Sequence, residues 1–403
     1  MANLQSMVFY PFSYLFVIFS FNSAVALFIV IHSMLAGMFA YLFFRRLGLD
    51  FLAAASGAVL WAFNGYFILH TYFLSNVAAY VWLPLVLLFF DYSITGNDIR
   101  FMPLTSLSLT IQFFGGYPLF SVITIIIMFF YGVIISAKDW SSLFNFFLKY
   151  ILTLALFLLF SAVQLLPALE LISNSVRAAG FAYETASVYS IHPLDFLKFL
   201  FLPLWNRVSP EISGDPSIIG FYFGWIAIIL GTAGFTNKQL RKYVILFFVI
   251  FVISVLLSLG KYTPVHKWIY NTLPGFGLIR FAGQYIYTAS FCATALVALG
   301  MAQIGGVKLK IVLFIILSVD LWLFSHYSIF TVSKDFYETL PENVEFLKKD
   351  NSHFRIYMTP RTRAQNIQPG KDIYGLWEKY RDSLYPNLSM AYGICDASGY
   401  EEL

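Results

Sequence analysis

The sequence predicts an all-α polytopic membrane protein of about ten transmembrane helices. Three observations predict it. Of the 403 residues, 59% are hydrophobic, 20% aromatic and only 11% charged, where a soluble domain carries roughly a quarter charged residues; mean hydropathy is +0.75. Apolar runs recur along the chain, each long enough to cross a hydrocarbon core of about 30 Å at about 1.5 Å per residue. No run alternates apolar with polar residues as a barrel strand must, so helices are the only way to satisfy backbone groups in lipid.

Taken in order, apolar runs bounded by polar or Gly/Pro clusters place spans at 22–44, 51–69, 77–92, 101–114 and 119–136, then at 144–166, 218–235, 243–259, 281–303 and 311–327. Residues 10–19 are apolar but too short to cross and begin Tyr-Pro, which fits an interfacial or re-entrant helix. Lysine and arginine are retained on the cytoplasmic side. Arg45 and Arg46, Arg100, Lys138, the cluster Lys238, Arg241 and Lys242, and Lys308 with Lys310 all fall on alternate connections. The opposite, extracytoplasmic face then receives the loops 167–217 and 260–280 and everything from 329 onward. The chain therefore divides into a multi-span domain, 1–328, and an extracytoplasmic soluble segment, 329–403. That segment opens with a helix near 341–349 and an alternating stretch, 354–358, which read as the start of a partial α/β domain. Cys292 lies in an apolar run and Cys395 in the polar tail, so no disulfide is expected between them. No basic patch interleaved with aromatics exists, and nucleic acid is not an expected partner.

Charged groups in or beside a bilayer are costly, so each is a candidate for function as well as for simple pairing. Asp320 stands mid-span in the last helix. His32 and His70 lie on apolar helices with no second ligand at helical spacing, which favours hydrogen-bonded histidines over metal ligands. The first outer loop gathers Glu170, Arg177, Glu184, His192, Asp195 and Lys198, and the second adds Lys261, His266, Lys267, Arg280 and Gln284. Arginine grips a phosphate with two parallel donors, and an interfacial carboxylate or histidine can move a proton. The alternative is that these are ordinary loop and headgroup-facing charges. The Asn64-Gly65 pair and the GGYP turn at 115–118 break helices where a backbone can approach a ligand. Gly220 and Gly224 have the GxxxG spacing of close helix packing. No P-loop, GxSxG, HExxH or Asp-x-Asp pair is present, so ATP-driven transport, serine hydrolysis and zinc proteolysis lack their usual groups.

The opening QSMVFYPF, the helix end HSMLAGMFAYLFFRRLGLD, WLPLVLL, the loop SVRAAGFAYETASVYSIHPLDFL and the stretch LSLGKYTPVHKWIYNTLPGFGLIRFAGQY together resemble the YfhO-like family of bacterial membrane proteins, across residues 5–400. The resemblance implies a GT-C-like fold and transfer of a sugar from a polyprenyl-phosphate donor to a cell-envelope polymer or lipid on the outer face of the membrane. It implies an acidic base or metal ligand in an outer loop ahead of Met1, room for a divalent metal in the full-length protein, and an outer domain continuing beyond Leu403. On this reading Arg177 and Arg280 hold the donor phosphate, while Glu170, His192, Asp195 and Gln284 shape the site. A transporter or flippase for lipid-linked precursors, using Asp320, and a scaffold for envelope assembly are the other readings.

Overall fold

A computed structural model describes residues 2–96, 98–175, 178, 180–198, 220–329, 336, 339–359, 361, 373–385 and 388–397. The chain divides into two compact units, Met1–Ile329 and Phe330–Leu403.

The first unit is a bundle of helices: α1 (Phe21–Arg46), α2 (Phe51–Phe63), α3 (Gly65–Leu69), α4 (Leu74–Tyr80), α5 (Leu83–Thr95), α6 (Phe101–Phe114), α7 (Pro118–Ser136), α8 (Trp140–Ser173), α9 (Trp225–Ala233), α10 (Arg241–Ser258), α11 (Pro264–Thr272), α12 (Ile286–Gln303) and α13 (Val307–Ser328). Each of the ten expected spans lies on one or two of these helices. Seven helical stretches among the described residues are long and apolar enough to cross a membrane, and Phe101–Phe114 and Trp225–Thr236 are apolar but shorter. The protein is thus an all-α, multi-pass membrane protein.

The bundle is built around α12. All its residues but Ala293, Ala302 and Gln303 are buried, and α2, α9 and α10 pack on it. Small residues allow the close approach, because packing rather than a hydrophobic force between helices joins them in lipid. A Cβ on Gly300 would stand 1.7 Å from the Leu230 carbonyl oxygen, and one on Gly57 would stand 2.9 Å from the Ala298 Cβ. Apolar side chains on α8, such as Trp140 and Leu159, face outward instead, as a lipid-facing helix requires.

Arg46, Lys149 and Lys310 bind neighbouring helices across one end of the bundle. There Arg46 Nε donates to Asp91 at 2.6 Å and its terminal nitrogen donates to Thr95 at 2.6 Å, while Tyr131 Oη donates to the other Asp91 oxygen at 2.7 Å. Lys149 caps the Ser93 carbonyl at 2.8 Å. Asp50 caps α2 by accepting from Leu52 and Ala53 N–H and binds Lys310 Nζ at 2.6 Å. Burial works to raise the Asp50 carboxyl, but the Lys310 hydrogen bond and the cap amides outweigh it and hold it below the usual carboxylate range.

Three expectations need correction. Residues 167–173 are not loop: α8 runs 34 residues to Ser173 with Pro167 inside it, because a span tolerates a proline when neighbouring groups take up the freed carbonyl. The seventh span starts at Trp225, not 218. Residues 220–224 are non-helical and buried, and Gly224 has φ 80°, so the GxxxG spacing is not helical. The Gly224 conformation serves a different purpose, since a Cβ there would meet Asp320 Oδ2 at 1.9 Å.

In the second unit, helices α14 (Glu342–Leu347) and α15 (Ile373–Asp382) are present. Val344, Leu384, Tyr392 and Ile394 form its small core. The expected strand at 354–358 shrinks to one parallel bridge, Ile356 with Asp396. Its bonds run from Ile356 N–H to the Cys395 carbonyl and from Ala397 N–H to the Ile356 carbonyl, and among the described residues no further neighbour extends the ladder.

Candidate functional site

At the end of the bundle opposite the basic residues, the loop after α8 and the loop after α10 are laced together by backbone hydrogen bonds. Ile191 N–H donates to Ser258 O at 2.9 Å, Ala282 N–H to Val188 O at 3.2 Å, Gly283 N–H to Tyr189 O at 3.0 Å and Phe181 N–H to Gly277 O at 2.8 Å. Lys261 N–H donates to Ser190 Oγ at 3.0 Å, and the Tyr189 and Phe281 rings meet edge to face at 4.8 Å. Both of these aromatic residues have positive φ, 55° and 73°. Left-handed backbone at non-glycine residues is costly and persists only where its surroundings impose it. The lacing imposes it here, at the residue next to Arg280.

Arg280 is the distinctive group. Its guanidinium lies 4.3 Å over the Phe281 ring, and its Nε is buried without a hydrogen-bond partner among the described residues. Buried donors are normally paired, so an orphaned one on a cation asks for an anionic acceptor. Gln284 is buried one turn further on, in the 3-10 turn Ala282–Tyr285. Just before Arg280, a cavity of about 390 Å³ opens between Gly180–Phe181 and the stretch from Tyr270 to Gly277. The Tyr270 hydroxyl fixes its wall by donating to Phe181 O at 2.8 Å. Gly275, at φ 84°, makes the turn that Pro274 opens.

The other expected residues divide. His192 and Asp195 are brought together, with His192 N–H donating to Asp195 Oδ2 at 3.2 Å. The His192 ring stands edge-on to Tyr262 at 4.9 Å, which places the pair on the laced loops. Asp195 is buried and opens the single turn Asp195–Lys198. Glu170 lies exposed near the end of α8, and its carboxylate has no hydrogen bond or ion pair with a described residue. Arg177 lies outside the described residues. His266 is buried among Tyr183, Phe276 and Tyr285, and burial pushes its imidazole below the ordinary value. Among the described residues no three of His, Cys, Asp and Glu come together as metal ligands.

Sequence reasoning missed Asp91, whose carboxylate accepts from Arg46, Thr95 and Tyr131, because it closes an apolar run and reads as a boundary. His32 and His70 are hydrogen-bonded histidines: Tyr10 Oη and Phe28 O each lie 2.6 Å from a His32 ring nitrogen, and Tyr66 O lies 2.7 Å from His70 Nδ1. Asp320 accepts from Tyr222 Oη at 2.7 Å.

The profile of the family described as bacterial membrane protein YfhO matches residues 3–352. The chain belongs to the YfhO family. The match covers the whole bundle and the first helix of the second unit, so both laced loops of this YfhO-family chain lie within it. No curated protein matches the chain.

Proposed function

We propose that this YfhO-family chain is a GT-C-like glycosyltransferase that takes a polyprenyl-phosphate sugar at the laced loops and passes the sugar to an envelope polymer or lipid. The observation that carries this reading is the orphaned Nε of Arg280 at the end of the bundle away from the basic residues. Cytoplasmic retention of those residues puts the loops, and the second unit that follows α13, on the outer face. A lipid phosphate reaching the lip of the bundle offers the acceptor that Arg280 lacks.

In the transfer, the bond between the sugar's anomeric carbon and the phosphate oxygen breaks with its electron pair going to the phosphate. The acceptor hydroxyl oxygen bonds to that carbon and gives up its proton to a base. Charge grows on the leaving phosphate, and a fixed arginine in a water-poor setting stabilises it more than it does the ground state. Arg177 would share that phosphate, with Glu170, Gln284, His192 and Asp195 shaping its surroundings. The test supplies polyprenyl-phosphate sugars to the full-length protein in membranes and measures transfer, with Arg280→Ala and Arg177→Ala beside it. Transfer that both variants leave unchanged removes these roles.

A transporter for the same lipids is the second reading, and Asp320 favours it: its Oδ2 is buried without a partner among the described residues, beside the non-helical segment 220–224. Loss of lipid movement in Asp320→Asn, with no sugar transfer by the wild type, would decide for it.

A further inference from the structure

The cavity before Arg280 is walled without charge. It is lined by nine residues, Gly180 and Phe181 from the first loop with Gly277 and the stretch from Tyr270 to Gly275 from the second, and none of them is Asp, Glu, Lys, Arg or His. Lys267, one turn back on α11, holds its ammonium 5.4 Å over the Tyr183 ring instead. Three of the nine are glycines, so much of the wall is bare peptide, and peptide N–H and C=O groups are strong hydrogen-bonding groups. At about 390 Å³ the space lies near the lower end of the range for small-ligand sites, about 300–1,000 Å³.

Helix α11 brings a flat apolar surface to the edge of this cavity. Trp268, Asn271 and Thr272 stand at i, i+3 and i+4, so they share one face of the helix, with about 5–6 Å between neighbouring Cβ atoms. Asn271 and Thr272 line the cavity. Trp268 is 67% exposed, and no described aromatic ring stacks on it. The other face of α11, with His266 buried and Ile269 and Tyr270 half-buried, seats the helix on the protein, so the indole is not needed for that. The Asn271 amide is exposed and bonds no described residue. Thr272 Oγ donates to Trp268 O at 2.8 Å, which leaves its lone pairs free to accept.

We propose that the cavity and the Trp268 face form a seat for an uncharged pyranose. A pyranose is apolar on the face where its C–H bonds point and polar around its rim, so it needs both kinds of surface. The indole covers the C–H face. The Asn271 amide, which both donates and accepts, meets the hydroxyls together with Thr272 Oγ and the glycine peptides. That this pyranose is the sugar of a lipid-linked donor rests on the function proposed above. Gly277 and Arg280 are three residues apart, at most about 11 Å along the chain, so one glycosyl phosphate lipid places its sugar in the cavity and its phosphate on the guanidinium.

The test uses the full chain in lipid nanodiscs. Direct titration compares polyprenyl phosphate, the same lipid carrying glucose, galactose or mannose, and the methyl glycosides of those hexoses, for the wild type, Trp268→Leu, Asn271→Ala and Arg280→Ala. Trp268→Leu keeps an apolar side chain and removes the flat ring. Both positions are exposed, and an unchanged thermal midpoint confirms an intact fold. Each of these two changes is expected to weaken at least one hexose lipid and its methyl hexoside roughly 3- to 10-fold, the factor for one ring contact or one hydrogen bond, and to leave sugar-free polyprenyl phosphate unaltered. Arg280→Ala is expected to weaken both kinds of lipid and spare the methyl hexosides. A methyl hexoside bound through Trp268 and Asn271, with polyprenyl phosphate ignored by the wild type, overturns the phosphate reading and keeps the sugar seat. No hexoside binding, or hexoside and hexose-lipid binding indifferent to both changes, overturns the seat. Trp268→Leu weakening all the lipids alike, the sugar-free one included, also overturns it and makes Trp268 a contact of the lipid chain or the bilayer surface.

Discussion

Gly65→Ala probes how the non-helical segment 220–224 is seated in the bundle. Gly65 N–H donates to Tyr222 O at 2.8 Å. A Cβ on Gly65 would lie 2.3 Å from Tyr222 N, 2.5 Å from Tyr222 Cβ and 2.9 Å from the Phe221 carbonyl carbon. None of these atoms can swing away as a side-chain tip can. The segment is also pinned from the far side, where Tyr222 Oη bonds Asp320 at 2.7 Å and its ring stacks on Phe324 at 4.4 Å. Forcing a methyl into such a contact costs about 1–3 kcal/mol, and stretching the Gly65 hydrogen bond adds about 0.5–1.5 kcal/mol. The expected loss is therefore about 1.5–4.5 kcal/mol. Denaturant titration in mixed micelles measures it, with Gly305→Ala as the control because nothing lies within 4 Å of a Cβ there. Gly65→Ala no more destabilising than Gly305→Ala would refute the reasoning.

Other outcomes follow from particular groups. Asp91→Ala strands Arg46 and Tyr131 and is expected to cost about 3 kcal/mol, the low end for breaking a buried pair because the Arg46 side chain keeps 28% exposure; Tyr131→Phe, losing one donor, should cost about 1 kcal/mol in the same titration. Asp50→Ala removes the α2 cap and the Lys310 partner and should cost about 1 kcal/mol, whereas Asp50→Asn keeps a capping oxygen and should cost measurably less. Because burial holds the His266 imidazole below its ordinary value, the unfolded chain takes up that proton first as pH falls. Stability then drops as pH goes from about 6.5 down toward the folded value and is unaffected above it. Thermal midpoints across that window should fall less for His266→Phe than for the wild type.

The spans were legible because lipid imposes length and apolarity on a helix, and both can be counted along a sequence. The end of α8 was not, since Pro167 reads as a stop where a span can absorb it. The glycines at 220 and 224 show the same limit, because small residues at a helical spacing do not declare whether the backbone is helical. Arg280, His192, Asp195 and Gln284 were singled out from charge and position in two loops, and the structure laces those loops together by backbone hydrogen bonds.

Everything functional here requires the laced loops to face away from the cytoplasm. Single cysteines placed at Glu184, at Asn271 and at Lys138 in a Cys395→Ser background, treated in intact cells with a membrane-impermeant thiol reagent, test that directly. Labelling at 184 and 271, with labelling at 138 only after the cells are opened, is the expected result. Labelling at 138 in intact cells, with 184 and 271 silent until lysis, would contradict it.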